Sequence, residues 1–239
     1  MKRHIPNTIT CCNLISGCIA VIYAVWGDFE LALLFIVIGA VFDFFDGMSA
    51  RLLGVSSPIG KELDSLADDI TFGFAPSAMV YTMLQSLEYP SVLAAISGLL
   101  PYTAFIMAAF SALRLAKFNL DERQTTSFIG VPTPANALFW GALVAEGSDT
   151  FMAHSPLVTC LILVFVLVSC YLLVADIPLF ALKFKHWGFR GNEIKYIFII
   201  SSIAILLSSV FIGYTAIAVV IAWYVLLSVF VNKKNNQAK

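Results

Sequence analysis

Residues 42–69 read FDFFDGMSARLLGVSSPIGKELDSLADD, and this stretch places five aspartates, four of them at helical spacings in pairs, in a chain that is 60% hydrophobic. The carboxylates form two pairs, Asp43 with Asp46 and Asp64 with Asp68, at spacings of three and four residues. Residues at these spacings share one face of an α-helix, so each pair projects together from one of two consecutive helices. We therefore predict that the four carboxylates meet at one site, where a positive partner must offset their charge.

The rest of the chain has the composition of a membrane protein. Only 12% of its 239 residues are charged, against about 25% in soluble domains, and the mean hydropathy is +0.90. A helix needs about 20 apolar residues to cross the bilayer. We predict an all-α integral membrane protein of one domain, with about eight transmembrane helices at 9–26, 31–50, 63–83, 93–116, 131–145, 157–175, 196–212 and 214–231.

The positive charges predict the orientation of these helices. All 14 Lys and Arg residues lie at the termini or in alternate connecting segments, and the other connections contain none. Cytoplasmic loops carry the excess of Lys and Arg. We therefore expect both termini and the aspartate site on the cytoplasmic side of the cell membrane.

The ligand types point to a divalent metal. Carboxylate oxygens without a nearby histidine or cysteine suit Mg²⁺, Mn²⁺ or Ca²⁺ rather than zinc. Each carboxylate within a membrane helix costs on the order of 2.5–3.5 kcal/mol, so four of them need a compensating role. Two divalent ions about 4 Å apart can stabilise both the attacking and the leaving oxygen of a displacement at phosphorus. The stretch therefore predicts phosphoryl chemistry.

Three residues between the aspartate pairs suit a bound nucleotide. Gly47 and Gly60 remove side chains beside the two carboxylate pairs and allow a close approach of a ligand. Arg51 adds a cation that can bind phosphate through two hydrogen bonds. Either glycine alone would also suit helix packing or a turn. Together with the four aspartates, the three residues predict a nucleotide cradle.

The whole stretch follows the pattern Asp43-x2-Asp46-Gly47-x2-Ala50-Arg51-x8-Gly60-x3-Asp64-x3-Asp68. This pattern resembles the signature of the CDP-alcohol phosphotransferase family. The resemblance implies that Asp43, Asp46, Asp64 and Asp68 hold two divalent metals, Mg²⁺ or Mn²⁺, and that Gly47, Ala50, Arg51 and Gly60 surround the nucleotide. It also implies that Asp68 is the general base. Asp69 lies outside the pattern, about 100° from Asp68 around a helix, and we expect a supporting or structural role for it.

The family resemblance further implies a six-helix core, here about residues 1–182, and a homodimer. Two helices at about 196–231 would be additions to that core. Four other stretches resemble the phosphatidylserine synthase branch of the family: PNTITCCNLISG (6–17), ALRLAKFN (112–119), FIGVPTPA (128–135) and VADIPLFALKFK (174–185). This branch implies CDP-diacylglycerol as donor, L-serine as acceptor and CMP as the second product.

Several polar residues are candidates for binding the acceptor or the lipid headgroup. They are Asn7, Thr10, Asn13, Arg114, Lys117, Asn119, Thr133, Asn136 and Asp176. Arg114 and Lys117 would equally suit anchoring at the cytoplasmic boundary. The three residues of the first helix would equally suit hydrogen bonds between helices. Asp176, inside an apolar run, would equally suit pairing with a lysine.

Two other functions fit parts of the pattern. The same chemistry with glycerol 3-phosphate or an inositol phosphate as acceptor would need more cations near the site. A divalent-cation transporter would use the aspartates as a relay, but transporter sites tend to lie at the bilayer midplane between repeats. The aspartates here cluster toward one face and no repeat is visible. No nucleic-acid partner is expected.

Overall fold

A computed structural model describes residues 4–120, 128–147, 155–180, 188–189 and 192–237, with the backbone alone for Phe128 and 232–237. Ten α-helices are present in these ranges. They are α1 (His4–Trp26), α2 (Phe29–Leu53), α3 (Pro58–Asp68), α4 (Ala75–Ser86), α5 (Phe105–Leu120), α6 (Thr133–Gly147), α7 (Pro156–Val174), α8 (Glu193–Leu207), α9 (Ser209–Ile212) and α10 (Thr215–Gln237). The prediction of a helical membrane protein is confirmed.

The first two helices form an antiparallel hairpin with defined ends. Gly27 adopts a positive φ of 80° in the turn, which only glycine adopts without strain. Asp28 then caps α2 by accepting a hydrogen bond from the Leu31 N–H at 3.1 Å. At its far end α2 stops at Gly54, which has the left-handed conformation common at helix C-termini. The hairpin therefore presents Asp43 and Asp46 near the C-terminal end of α2.

The second aspartate pair belongs to a helical run that changes geometry along its length. Ser57 caps α3 by accepting a hydrogen bond from the Gly60 N–H at 3.0 Å, and Pro58 follows at the first helical position. A π-helical segment (Asp69–Phe74) joins α3 directly to α4. The predicted helix at 63–83 is therefore one helical run with a π segment immediately after the last aspartate of the pattern.

Two 3₁₀ segments (Ser91–Ile96 and Leu100–Ala104) lead into α5. A short antiparallel ladder, which a purely helical fold does not include, pairs β1 (Phe128–Ile129) with β2 (Pro178–Leu179). Two further backbone hydrogen bonds support the ladder: Gly130 donates to the carbonyl of Ile177, and Val131 donates to the carbonyl of Leu172. The ladder joins the segment before α6 to the segment after α7.

The core lies where α1, α2, the π segment, α4 and α6 pack together. Its largest fully buried side chains include Trp140, Phe72, Ile36 and Met79. The later helices pack around this core, α7 against α5 and α10 against α6 and α8. The N-terminal half of the chain therefore provides most of the frame around the aspartates.

Four helices among the described residues are long and apolar enough to cross a membrane: His4–Trp26, Phe29–Leu53, Leu100–Leu120 and Pro156–Val174. Thr215–Val231 is a shorter apolar helix. The π segment interrupts the third predicted span, and α6 and α8 are shorter than the four helices that are long enough to cross a membrane. The total of eight spans therefore stays a prediction. So does the orientation, because many of the cations that predict it, such as Arg123, Lys183 and Lys185, lie outside the described residues.

Thr71 of the π segment fits between the two helices of the hairpin. It donates a hydrogen bond to the Asn13 carbonyl at 3.1 Å. Gly17 of α1 and Gly39 of α2 make room for it, because a methyl group on either glycine would overlap Thr71 atoms. This contact holds the residues just after Asp68 against α1 and α2.

We expect Gly17→Ala to lower the stability of the protein by about 1–3 kcal/mol, the usual cost of adding a methylene to a packed core. The added methyl would overlap the Thr71 hydroxyl and lie 2.8 Å from the Thr71 Cα, which is backbone and cannot turn away. The thermal denaturation midpoint of the purified protein measures the effect. Gly98→Ala is the matched control, since nothing lies within 4 Å of its added methyl. Equal midpoints for the two variants would contradict the expectation.

Candidate active site

Three of the four aspartates converge between α2 and α3. Asp43, Asp64 and Asp68 each offer one carboxylate oxygen, and these three oxygens lie within 4.8 Å of one another. Like charges at this distance repel, so the arrangement favours a bound cation that all three can approach. A set of carboxylate oxygens is the donor chemistry of Mg²⁺, Mn²⁺ and Ca²⁺. The residues present therefore fit a divalent metal.

Asp46 lies beside this cluster rather than within it. Its side chain is buried, and it accepts a hydrogen bond from the Thr10 hydroxyl at 2.6 Å. Its charge is close enough to interact with those of Asp43 and Asp64. Asp46 also lines the neighbouring cavity together with Asp64. The fourth carboxylate thus connects the cluster to that cavity.

Helix α1 supplies a polar wall to the site. Asn13 donates a hydrogen bond from its Nδ2 to Asp68 Oδ1 at 3.1 Å, one turn away from the bond between Thr10 and Asp46. Asn7 lines the cavity, and its Oδ1 would lie 3.1 Å from a methyl group at Gly60. Asn7, Thr10 and Asn13 therefore share one face of α1. Thr10 and Asn13 form hydrogen bonds with aspartates of the neighbouring helices. These two residues therefore have the alternative role given above, hydrogen bonding between helices.

A cavity of about 200 Å³ opens next to the carboxylates. Its lining includes Gly47, Ala50 and Gly60, three of the four residues expected around a nucleotide. The fourth, Arg51, is exposed, and its Nη2 would lie 3.9 Å from a methyl group at Gly47. Three of the four residues therefore line one space, which both glycines widen, and Arg51 lies beside Gly47.

The N-terminus of α3 forms another wall of this cavity. Ser57 and Lys61 both line it, and neither was singled out from the sequence. The free N–H groups and the dipole of a helix N-terminus favour a phosphate group. The signal was available, because serine before proline, with glycine three residues after the serine, is a typical helix start. Lys61 also donates a hydrogen bond to the Asn119 carbonyl at 2.8 Å.

Two of the acceptor candidates lie together beside the aspartates. Arg114 is buried with 7% of its surface exposed, and its charge is close enough to Asp68 to interact with it. It donates a hydrogen bond from Nη1 to the hydroxyl of Thr133 at 3.5 Å, and Thr133 is fully buried. The guanidinium also lies 5.5 Å from the centre of the Phe118 ring. A buried cation therefore stands near the carboxylate cluster.

The last four candidates have other surroundings. Lys117 is exposed, and Asn119 uses its Nδ2 to bind Ser65 at 2.8 Å. Asn136 accepts a short hydrogen bond from Ser169, which in turn accepts one from Trp140. Asp176 is exposed in the connection between α7 and β2. The structure thus groups Arg114 and Thr133 with the aspartates and separates them from these four residues.

Comparison with known protein families identifies the family of this chain. Residues 3–175 match the model of the CDP-alcohol phosphatidyltransferase family. This match spans more than half of the chain and includes all four aspartates, so the chain belongs to that family. The family prediction made from the aspartate pattern is confirmed.

Three relatives within the family carry the same functional name. A Helicobacter pylori protein named CDP-diacylglycerol--serine O-phosphatidyltransferase is 31% identical over 238 residues, covering 98% of this chain and 96% of the relative. A Bacillus subtilis protein with the same name is 39% identical over 133 residues, or 55% of this chain and 70% of the relative. A third such protein, from Methanocaldococcus jannaschii, is 37% identical over 134 residues, covering 56% of this chain and 57% of the relative.

Proposed function

We propose that this protein transfers the phosphatidyl group of CDP-diacylglycerol to the hydroxyl group of L-serine, giving phosphatidylserine and CMP. The observation that carries the proposal is the cluster of Asp43, Asp64 and Asp68 beside a cavity lined by Gly47 and Gly60. The names of the relatives support serine as the acceptor, one of them over almost the whole chain.

The donor occupies the cavity with its diphosphate toward the aspartates. Asp43, Asp64 and Asp68, with Asp46 beside them, would hold the divalent metal, which we propose to be two Mg²⁺ or Mn²⁺ ions. Bound divalent ions neutralise the diphosphate and stabilise the leaving phosphate. The N-terminus of α3 and Arg51 supply further positive charge to the phosphates. The small side chains at Gly47 and Gly60 leave room for the nucleotide.

Transfer requires a base, and we assign this role to Asp68. It takes the proton of the serine hydroxyl while the serine oxygen forms a bond to the phosphorus on the lipid side. The bond from that phosphorus to the bridging oxygen breaks, and CMP leaves with the electron pair. The hydrogen bond from Asn13 holds the Asp68 carboxylate in orientation, so one of its oxygens has a fixed partner before the substrate binds.

Arg114 supplies the cation that binds the serine carboxylate. Thr133 orients the Arg114 guanidinium by accepting a hydrogen bond from it. Acceptors with a phosphate carry more negative charge and would require more cations at this point. Among the acceptor candidates that the structure describes, Arg114 is the one buried cation beside Asp68. This balance of charge favours an acceptor with a single carboxylate.

The membrane arrangement belongs to the same proposal. We propose that the run 58–86 and the shorter helices α6 and α8 cross the bilayer with the longer ones, which gives eight spans. The Lys and Arg residues of the connecting segments place the site on the cytoplasmic side in this proposal. Serine would enter from the cytoplasm and CMP would leave into it. The core of about 1–182 carries the chemistry, the helices at about 196–231 are additions, and the protein works as a homodimer.

Release of CMP by the purified protein tests the function. The assay supplies CDP-diacylglycerol and Mg²⁺ or Mn²⁺, and compares L-serine, glycerol 3-phosphate and an inositol phosphate as acceptors. We expect release with serine alone and none after addition of EDTA. Release with a phosphate-bearing acceptor instead would keep the chemistry and overturn the acceptor. If none of the three acceptors gives release of CMP, the proposed enzymatic function is wrong and the divalent-cation transporter becomes the better hypothesis.

A further inference from the structure

Three buried polar atoms where the π segment packs against α5 have no hydrogen-bond partner among the described residues. They are Asp69 Oδ1, Ser111 Oγ and Arg114 Nε. A buried polar atom without a partner costs free energy, and a charged one costs more. Such atoms are expected to have a partner in the working protein. The three atoms therefore mark a place where a ligand with several polar groups would be stabilised.

Two of these groups lie next to the same glycine. A methyl group at Gly73 would lie 2.7 Å from Asp69 Oδ1 and 2.9 Å from the Ser111 Cβ. Any side chain at position 73 would overlap Asp69 and Ser111, so glycine is what allows these two residues to lie close together. Ser111 and Arg114 are three residues apart on α5, so they share one face of that helix. Helix α5 packs against the π segment, and Ser111 on this face lies beside Gly73 of that segment.

The carboxylate and the guanidinium do not neutralise each other. Arg114 interacts electrostatically with Asp68, and Asp69 has no described hydrogen-bond donor on its Oδ1. Ionisable groups within membrane helices normally face a partner or a functional cavity. A carboxylate oxygen and a guanidinium nitrogen that each lack a described partner are complementary to a zwitterion, with an ammonium for the first and a carboxylate for the second.

The π segment explains how Asp69 reaches this position. π-helical turns inside α-helices are rare and are frequent at functional sites. Here the segment begins at Asp69 itself, directly after Asp68. It directs Thr71 to the α1–α2 hairpin and Gly73 to α5. The side chains of Asp68 and Asp69 therefore have different neighbours, although the two residues are adjacent in sequence.

We propose that Asp69 binds the ammonium group of the amino-acid acceptor, with Ser111 as a second hydrogen-bonding group, while Arg114 binds its carboxylate. Asp69 then determines specificity: it selects an acceptor that has an amino group over one that lacks it. This inference rests on the proposed function and assigns a residue that the aspartate pattern does not include. It also makes specific the supporting role expected for Asp69.

The test compares L-serine with 3-hydroxypropionate, which has the hydroxyl and the carboxylate of serine but no amino group. Formation of phosphatidylserine from labelled serine gives the KM for serine and the inhibition constant of 3-hydroxypropionate. For Asp69→Asn we expect the KM for serine to rise about tenfold or more, as for one lost hydrogen bond between charged groups. The inhibition constant of 3-hydroxypropionate and the KM for CDP-diacylglycerol should stay unchanged. Asp28→Asn, at the helix cap remote from the site, is the matched control.

The outcomes separate this inference from the proposed function. If the wild-type protein makes no phosphatidylserine, the proposed function itself fails. If the wild type is active and the variant keeps its KM for serine, Asp69 does not bind the ammonium. An equal rise in the KM for serine and in the inhibition constant of 3-hydroxypropionate would show a structural effect and would also overturn the inference. Gly73→Ala is a second variant, because its methyl presses on the Asp69 carboxylate, and it should shift serine binding in the same selective way.

Discussion

Replacing Asp68 with asparagine is expected to reduce the rate of CMP release by a factor of about 10² to 10⁴, the usual contribution of a general base. Asparagine keeps the shape of the side chain but cannot take the proton of the serine hydroxyl. It still offers an oxygen to a metal, so binding of CDP in the presence of saturating Mg²⁺ should persist. Rapid-mixing or steady-state release of CMP measures the rate, and titration with CDP measures the binding.

Asp28→Asn serves as the control for Asp68→Asn. Asp28 caps α2 at the end remote from the site, and asparagine is about as good a helix cap as aspartate. We therefore expect wild-type turnover from the control. Wild-type-like turnover from Asp68→Asn would remove Asp68 from the role of base. Loss of CDP binding together with turnover would show that Asp68 serves mainly to hold the metal.

Replacing Asp64 with asparagine is expected to weaken metal-dependent CDP binding by at least about a hundredfold and to lower turnover with it. Asp64 belongs to the carboxylate cluster and also lines the nucleotide cavity. Loss of a residue that merely supports a metal ligand lowers metal affinity by about 10- to 100-fold, so a direct ligand should cost at least about a hundredfold. The measurements are CDP titration over a range of Mg²⁺ concentrations and CMP release.

A thermal measurement distinguishes this metal role from a structural one. A ligand that binds only the folded protein raises its stability, so Mg²⁺ should raise the denaturation midpoint of the wild type. The same addition should leave Asp64→Asn nearly unchanged. Without metal, the variant should be no less stable than the wild type, because one of several repelling carboxylates has been removed. An equal midpoint shift with Mg²⁺ in both proteins would contradict Asp64 as a ligand.

The aspartate cluster illustrates how far local spacing carries a prediction. Asp43 and Asp64 lie on different helices, yet the spacing within each pair predicted that the carboxylates meet, and the structure brings Asp43, Asp64 and Asp68 within 4.8 Å. The spacing did not show that Asp46 would turn to Thr10 and the cavity. That difference arises because α1 packs against α2 and supplies the hydroxyl.

The acceptor candidates show the opposite case. Nine polar residues had the chemistry to bind an acceptor or headgroup, and sequence alone did not separate them. The structure places Arg114 near Asp68, pairs Thr133 with Arg114, and pairs Asn119 with Ser65. It also places Asn136 in a hydrogen-bonded chain with Ser169. These partners are 19 to 54 residues apart along the chain, so helical periodicity carries no information about them.

The sequence by itself determined that this is a helical membrane protein of the CDP-alcohol phosphatidyltransferase family with paired aspartates on consecutive helices. Hydropathy and helical spacing are local properties, and each can be read within about 20 residues. The tertiary structure alone decided that Asp68 faces Asn13 while Asp69 turns toward Gly73 and Ser111. The physical reason is that a side chain's partner depends on which helix packs opposite it, and the π segment after Asp68 changes that packing within a few residues.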